Sequence, residues 1–412
     1  MVTSILDTDL YKLSQQLAVC KLFPRDEVRY QFFNRGHHKF PVGFGLALRA
    51  EIEKFNSIHL SEDECLFLRD RVYFFDPVYF DFLSGYRFNP NEVFIEQQGE
   101  DLKITITGPW YRTILWEVPL MATISELYYS MTGKRMPNRY ESPEAHVAQE
   151  NINTIKLTGF RNLRVKIAEF GTRRRFSYDV QNELLNAMND YRDVFVGTSN
   201  VHFAMVYGWT PIGTQAHEWF QFHAAKYGYR MANQIAMENW VRVYNGNLGI
   251  VLPDTFTTDV FLRTFDTKYA KLFDGGRQDS GDPIAWTNKW TEHYRKLRID
   301  PSTKSYIYSD GIKSLDTVAT IHQHYVNTVC NGHYDRARDS FGIGTWLTND
   351  VGPAPLNIVI KMTAVKMNGE WVQTVKLSDH EGKNTGDPRT IQLCKEILGL
   401  ESKFFTLTYS IE

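Results

Sequence analysis

The sequence predicts an α/β protein: a (β/α) barrel, preceded by an α+β region that the C-terminal segment completes. Three observations carry this. Seven short apolar runs beyond residue 163 each end in Gly, Ser, Thr or Asp and lead into a helical pattern, as parallel strands do at their C-terminal ends. Residues 28–105 instead contain alternating stretches, "EVRYQFFNR" and "LKITITG", of the kind that half-buried strands show. Residues 357–378 read as a β-hairpin turning at Asn368-Gly369. At 412 residues the chain is long for one core. The expected units are 1–105, then 106–356 (a helical lead-in and the barrel), then 357–412 packing back on the first.

In order along the chain, "LALRAEIEKFNSIHLSEDECLFLRD" reads as helix, turn, helix, and "YRTILWEVPLMATISELYYSM" as a long helical run. Pro119 inside that run marks a kink or a junction. The strand-end series is "LRVKIAEFGTRR", "VFVGTSN", "WTPIGTQAHEW", "LGIVLPDTFTTDVF", "LFDGGRQDSGDP", "KSYIYSDGIKSL" and "DSFGIGTWL". No GxGxxG with a following acidic residue supports a dinucleotide fold. A closed or nearly closed barrel gathers every polar strand end onto one face, with an open doubly wound sheet as the alternative.

Composition narrows the function classes. Apolar residues make up 43% and the formal net charge is -2, so the chain is an ordinary globular protein with no global field for a polyanion. Nucleic acid is therefore not an expected partner. Cys20, Cys65, Cys330 and Cys394 form no CxxC pair, which suits a reducing cytosol. Asp7, Asp9 and Lys12 stand where a signal peptide needs an apolar run, and no stretch approaches a membrane span. The expectation is a soluble cytoplasmic protein.

The strand ends hold the candidate chemistry. Arg173, Arg174 and Arg175 follow a Gly-Thr turn, either as a solvated basic face or with Arg173 turned inward toward a carboxylate or phosphate. "GGRQDSGDP" sets Arg277 beside Asp279 and Asp282, as an Asx turn with a local ion pair or as an anion and hydroxyl site. "SDGIKSL" and "FGIGTWL" read as turn-to-helix junctions, which favour phosphate. His217 in "AHEWFQ" lacks the second histidine of HExxH, since Gln221 stands there, so no protein-held metal is expected. It is either a packed histidine or a base or phosphoryl acceptor among anion binders. His223 is expected to pack on its helix.

Taken together, "ILDTDLYK", "GPWYRTILWEVPL", "FGTRRRFS", "FVGTSNV", "PIGTQAHEWFQ", "DSGDP", "FGIGTWL", "PLNIVIKM" and "VKLSD" resemble, in order, the motifs of the nicotinate phosphoribosyltransferase family. The resemblance spans nearly the whole chain. It implies a type II phosphoribosyltransferase with an irregular seven-stranded barrel, and a homodimer with shared active sites. It implies transfer of phosphoribose from phosphoribosyl pyrophosphate to nicotinate, with ATP as co-substrate and Mg²⁺ accompanying both phosphate substrates. A phosphohistidine is implied at His217. Phe170 would stack on the pyridine ring, with Tyr11 and Asp9 reaching its other side across the dimer. Arg173 would face pyrophosphate or the base carboxylate. Arg277 and Asp279 would handle the ribose and its phosphates, and Gly344 and Thr345 the 5′-phosphate. Thr198, Ser199, Asp254, Asp310 and Lys361 complete the implied contacts. Gln278 receives no role, and "NGHYDRARD", residues 331–339, suits a surface loop. Quinolinate or nicotinamide phosphoribosyltransferases, or a non-catalytic phospho-ligand barrel, are the competing readings.

Overall fold

The structure, a computed structural model, describes residues 1–133, 143–213 and 215–400. Thr214, three residues before His217, lies outside them. Two sheets organise the described chain. One is antiparallel, ordered β11-β10-β1-β3-β2, with β1 Glu27–Asn34, β2 Val93–Gln98, β3 Asp101–Pro109, β10 Ile358–Met367 and β11 Glu370–Gln373. Val28, Tyr30, Ile104, Ile106, Ile360 and Met362 are buried from these strands, as a period of two on one covered face requires. The expected hairpin is β10–β11, and its turn residues Asn368 and Gly369 both have positive φ, 52° and 90°. That twist matches the strands it joins. β10 then pairs antiparallel with β1, from Val28↔Val365 to Asn34↔Ile358, so the C-terminal segment does complete the first sheet. Beyond the hairpin the segment leaves that sheet. Leu377 N–H donates to Thr255 O at 2.8 Å, and the helix Pro388–Leu398 lies on the helix Tyr229–Tyr244.

The second sheet is parallel: β4 Lys166–Glu169, β5 Phe195–Thr198, β6 Ile250–Val251, β7 Gly275–Gln278, β8 Ser305–Tyr308 and β9 Asp339–Ile343. Its order is β5-β4-β9-β8-β7-β6. The first strand pairs with the last, as in a barrel, which sets aside the doubly wound alternative and leaves the circuit nearly closed. The gap in the circuit lies between β5 and β6, where the expected third strand, in "WTPIGTQ", should stand. Among the described residues, that segment gives β5 one backbone hydrogen bond, from Ile212 N–H to Thr198 O at 3.0 Å. Pro211 has no N–H to give a ladder, so the irregular member of the barrel is the one its sequence weakens.

The helical run around Pro119 resolves into a junction: Trp110–Thr113, a 3-10 turn at Ile114–Trp116, then Glu117–Met131. Pro119 sits in the first turn of the last helix, where an N–H has no partner to lose. The helix Leu10–Leu22 is buried along nearly its whole length between barrel and sheet. It is anchored at the end of β5 by Leu10 N–H to Ser199 O, 2.8 Å. Among the described residues no helix is long and apolar enough to cross a membrane.

Candidate active site

A cavity of about 1010 Å³ lies between the C-terminal ends of the barrel strands and the antiparallel sheet. It sits where a barrel gathers its strand ends. His217, the first residue of the helix His217–Tyr227, points its Nε2 at Asp254 Oδ1, 2.8 Å away, with Asp279 Oδ2 at 3.6 Å. Asp254 is itself held by Ser280 Oγ at 2.6 Å and Lys376 Nζ at 3.5 Å. Asp279 accepts from Ser309 Oγ at 2.9 Å and lies 3.9 Å from Arg277 Nε. Burial, then the nearby Lys376 ammonium, pushes the His217 imidazole down to about 4, against the pull of Asp254. The ring is therefore neutral at neutral pH. Burial would raise Asp254, but Lys376 and His217 outweigh it and hold the carboxylate well below its usual range.

His217, Asp254 and Asp279 bring one donor atom each within 4.8 Å of one another. The chemistry of that set argues against a resident ion, because Lys376 and Arg277 already answer the two carboxylates. A magnesium ion prefers an all-oxygen shell completed by water and phosphate. The partly exposed carboxylates on the cavity wall, Asp279 and Asp310, suit one carried in with a phosphate substrate.

On the opposite side, the three adjacent arginines separate. Arg175 is fully buried and makes a bidentate pair with Asp7, both bonds 2.8 Å. Arg173 faces the cavity, 3.3 Å from Glu117 and 3.6 Å from Asp9, with its guanidinium 5.9 Å from the Tyr11 ring centre. Glu117 also accepts from Lys12 Nζ at 2.5 Å, and Lys12 reaches Glu218 at 2.8 Å. Lys12 is wholly buried, so these charges form an internal row: Arg173, Glu117, Lys12, Glu218.

Family models for the nicotinate phosphoribosyltransferase N-terminal domain and for the nicotinate phosphoribosyltransferase (NAPRTase) family match residues 6–125 and 165–402. The chain belongs to the nicotinate phosphoribosyltransferase family. Two relatives of that name, from Chromohalobacter salexigens and Desulforapulum autotrophicum, are 48% and 47% identical to it. The alignments cover 98% and 97% of this chain and 100% and 99% of theirs. The crystal structure of nicotinate phosphoribosyltransferase from Porphyromonas gingivalis matches with a TM-score of 0.90 and 41% identity, over 97% of this chain and 100% of that one. The Vibrio cholerae structure matches at 0.87 and 33%, over 97% and 94%. The protein is thus a phosphoribosyltransferase enzyme, and its family places it in NAD biosynthesis.

Against this family frame, most of the expected residues meet in one place. Asp9, Tyr11, Phe170, Arg173, Ser199, His217, Arg277, Asp279, Asp310, Gly344, Thr345 and Lys361 all line the cavity. Thr198 and Asp254 do not; they lie behind its wall, each bonded to a neighbouring side chain. Asp282 is a helix cap, accepting from Ile284 and Ala285 N–H. Tyr11 and Asp9 line this cavity, and the bridge from Asp9 to Asn200 ties them to the end of β5. His223 packs as expected, bonded to Trp219 O and Asn239. Residues 331–338 are largely exposed, while Asp339 turns inward to His322 at 2.8 Å.

Sequence reasoning missed Arg35, Glu117, Lys12, Glu218, Lys376 and Lys383. Lys12 and Glu218 stand inside motifs already singled out, "DTDLYK" and "AHEWF", and that was the available signal. Lys376 and Lys383 come from the C-terminal segment, Lys383 pairing with Asp310 at 2.5 Å on the cavity rim.

Proposed function

We propose that the enzyme joins nicotinate to 5-phosphoribosyl 1-pyrophosphate, forming nicotinate mononucleotide and pyrophosphate, and drives this with ATP through a phosphorylated His217. The observation that carries the reading is the histidine itself. It is neutral and buried at a cavity wall, with Nε2 engaged by Asp254 and no partner for Nδ1 among the described residues. A neutral Nδ1 lone pair can take the terminal phosphoryl group of ATP as ADP leaves, and water later releases it as phosphate. Asp254 steadies the imidazolium that forms.

The transfer half follows from the other wall. The ring nitrogen of nicotinate bonds to ribose C1′ as the C1′–oxygen bond to pyrophosphate breaks, through a cation-like ribose. Phe170 and Tyr11 offer flat faces for the base, and Arg173 offers a forked donor for its carboxylate. Arg277, Lys361 and the cations from the C-terminal segment suit the departing pyrophosphate. Mg²⁺, bound with the phosphate substrates, would add charge neutralisation, with Asp279 and Asp310 as its protein carboxylates. The relatives' shared name supports the substrate choice. We also propose a homodimer, testable as a solution mass of twice 47.9 kDa, and a cytoplasmic location, which four free cysteines suit.

The decisive assay measures pyrophosphate and mononucleotide with nicotinate, nicotinamide or quinolinate, with and without ATP. Only nicotinate should turn over well. His217→Ala should keep slow ATP-independent transfer, lose ATP stimulation and take up no acid-labile label from labelled ATP. Unchanged stimulation in the variant removes His217 from the mechanism.

A further inference from the structure

Glu169 is the last residue of β4, wholly buried, and its side chain takes no part in the cavity wall. Among the described residues it has no cation partner within ion-pair distance. It accepts three hydrogen bonds instead: from Thr198 Oγ1 at 2.6 Å, from Gln181 Nε2 at 3.0 Å and, in a short contact, from Gly171 N–H. A buried carboxyl without a cation is costly, so its presence calls for a reason. A carboxylate offers acceptors only, whereas a glutamine would aim an NH₂ at one of these donors.

The reason lies one residue on. Gly171 N–H is held by Glu169, and Gly171 C=O accepts from Thr348 Oγ1 at 3.1 Å. Thr348, also wholly buried, approaches so closely that a Cβ on residue 171 would stand 2.1 Å from its hydroxyl. Both peptide groups flanking Gly171 are therefore fixed. On one side of them is Phe170, whose N–H donates to Ile343 O and whose ring would meet a Cβ on Gly342 at 2.2 Å, so it lies against the β9 backbone. On the other side begins the 3-10 turn Thr172–Arg174, which carries Arg173 into the cavity.

We propose that Glu169 and Thr348 are positioning residues for the base: by gripping Gly171 from both sides they set the Phe170 ring and the Arg173 guanidinium for a flat, singly anionic ring. This rests on the reading of Phe170 and Arg173 as the nicotinate-binding pair. Neither gripping residue lines the cavity, so their effect on substrate is indirect.

The test compares steady-state kinetics of Glu169→Gln, Thr348→Val and Phe170→Ala with the parent. Each gripping variant should raise the KM for nicotinate about tenfold, with kcat and the KM for phosphoribosyl pyrophosphate within about twofold, the rise expected if only the base site loosens. The double variant should raise it by less than the product of the singles, because both act on one residue. Thr348→Val keeps shape and carries the test if Glu169→Gln does not fold. If Phe170→Ala raises the nicotinate KM and neither gripping variant does, the positioning role is overturned while the base site stands. If Phe170→Ala leaves that KM unchanged, the base-site reading fails and takes this proposal with it. A parallel rise in both KM values marks general loosening and also overturns it.

Discussion

The barrel and the antiparallel sheet line the cavity with different charge. The barrel strand ends bring both signs, Asp279 and Asp310 with Arg173, Arg174 and Arg277, while the charged side chains from the sheet and the C-terminal segment are the cations Arg35, Lys361, Lys376 and Lys383. A barrel carboxylate meets a cation from the other side in Asp254 with Lys376 and Asp310 with Lys383. Among the described residues Lys361 is in no ion pair. Burial, then the charge of Lys376, pushes its ammonium down to about 7. The difference teaches that one wall is balanced within the protein and the other is left short of negative charge, which an anionic substrate supplies.

The contrast can be broken hardest at the joint between the walls. Lys12→Met leaves Glu117 and Glu218 buried without the cation between them, and should cost about 3–5 kcal/mol. Thermal melts will read this as a large drop in Tm, and adding Glu218→Gln should recover part of it. A melt like the parent's would mean the row of charges holds nothing together.

Lys361→Met tests the unbalanced wall. The folded-state ammonium titrates near 7, below the ordinary lysine value of 10.5. Between those values the unfolded chain binds the proton and the folded one does not, so this lysine makes stability rise with pH. Below pH 7 both states are charged and the full cost of burying the charge remains. The variant should therefore be more stable than the parent in urea titrations below pH 7, with the gap closing toward pH 10. Its KM for phosphoribosyl pyrophosphate should rise. A gap that stays constant with pH would place the titration elsewhere.

The smallest effect sharpens the balanced wall. Lys376 charge helps hold the His217 imidazole down to about 4. Lys376→Met should let the His217 NMR titration move up by about one unit, with a smaller loss of Tm than Lys12→Met because Asp254 keeps Ser280 and His217 as partners. No movement would show that burial alone sets the ring's basicity.

Much of this was legible because polar strand ends carry their own signal. "EFGTRR", "GGRQDSGD" and "FGIGT" interrupt apolar runs with residues a core does not want, and all three reach the cavity. The hairpin turn was legible for the same local reason. What stayed hidden depends on distant partners. Nothing near Lys12 indicates that it is buried, because its acceptor Glu218 stands 206 residues away. Lys376 likewise reads as a surface lysine until the fold lays it beside Asp254. Thr198 and Asp254 were found as strand-end residues, but spacing alone does not say that they face away from the cavity. The third strand of the barrel was legible as an apolar run ending in Gly213, while its irregularity follows from the missing N–H of Pro211.

The pairing of β10 with β1 has a consequence for how the chain is made. Strand β1 leaves the ribosome more than three hundred residues before its partner, a wait of roughly 15–65 s at ordinary synthesis rates. During that interval β3 can cover one side of β1, but the other edge stays open, a template for the wrong strand of a neighbouring chain. Nascent chains stalled before residue 358 should aggregate and recruit chaperones, while those released after residue 373 should not. The strand Ile358–Met367 thus acts as the closing stitch for the chain's first strand.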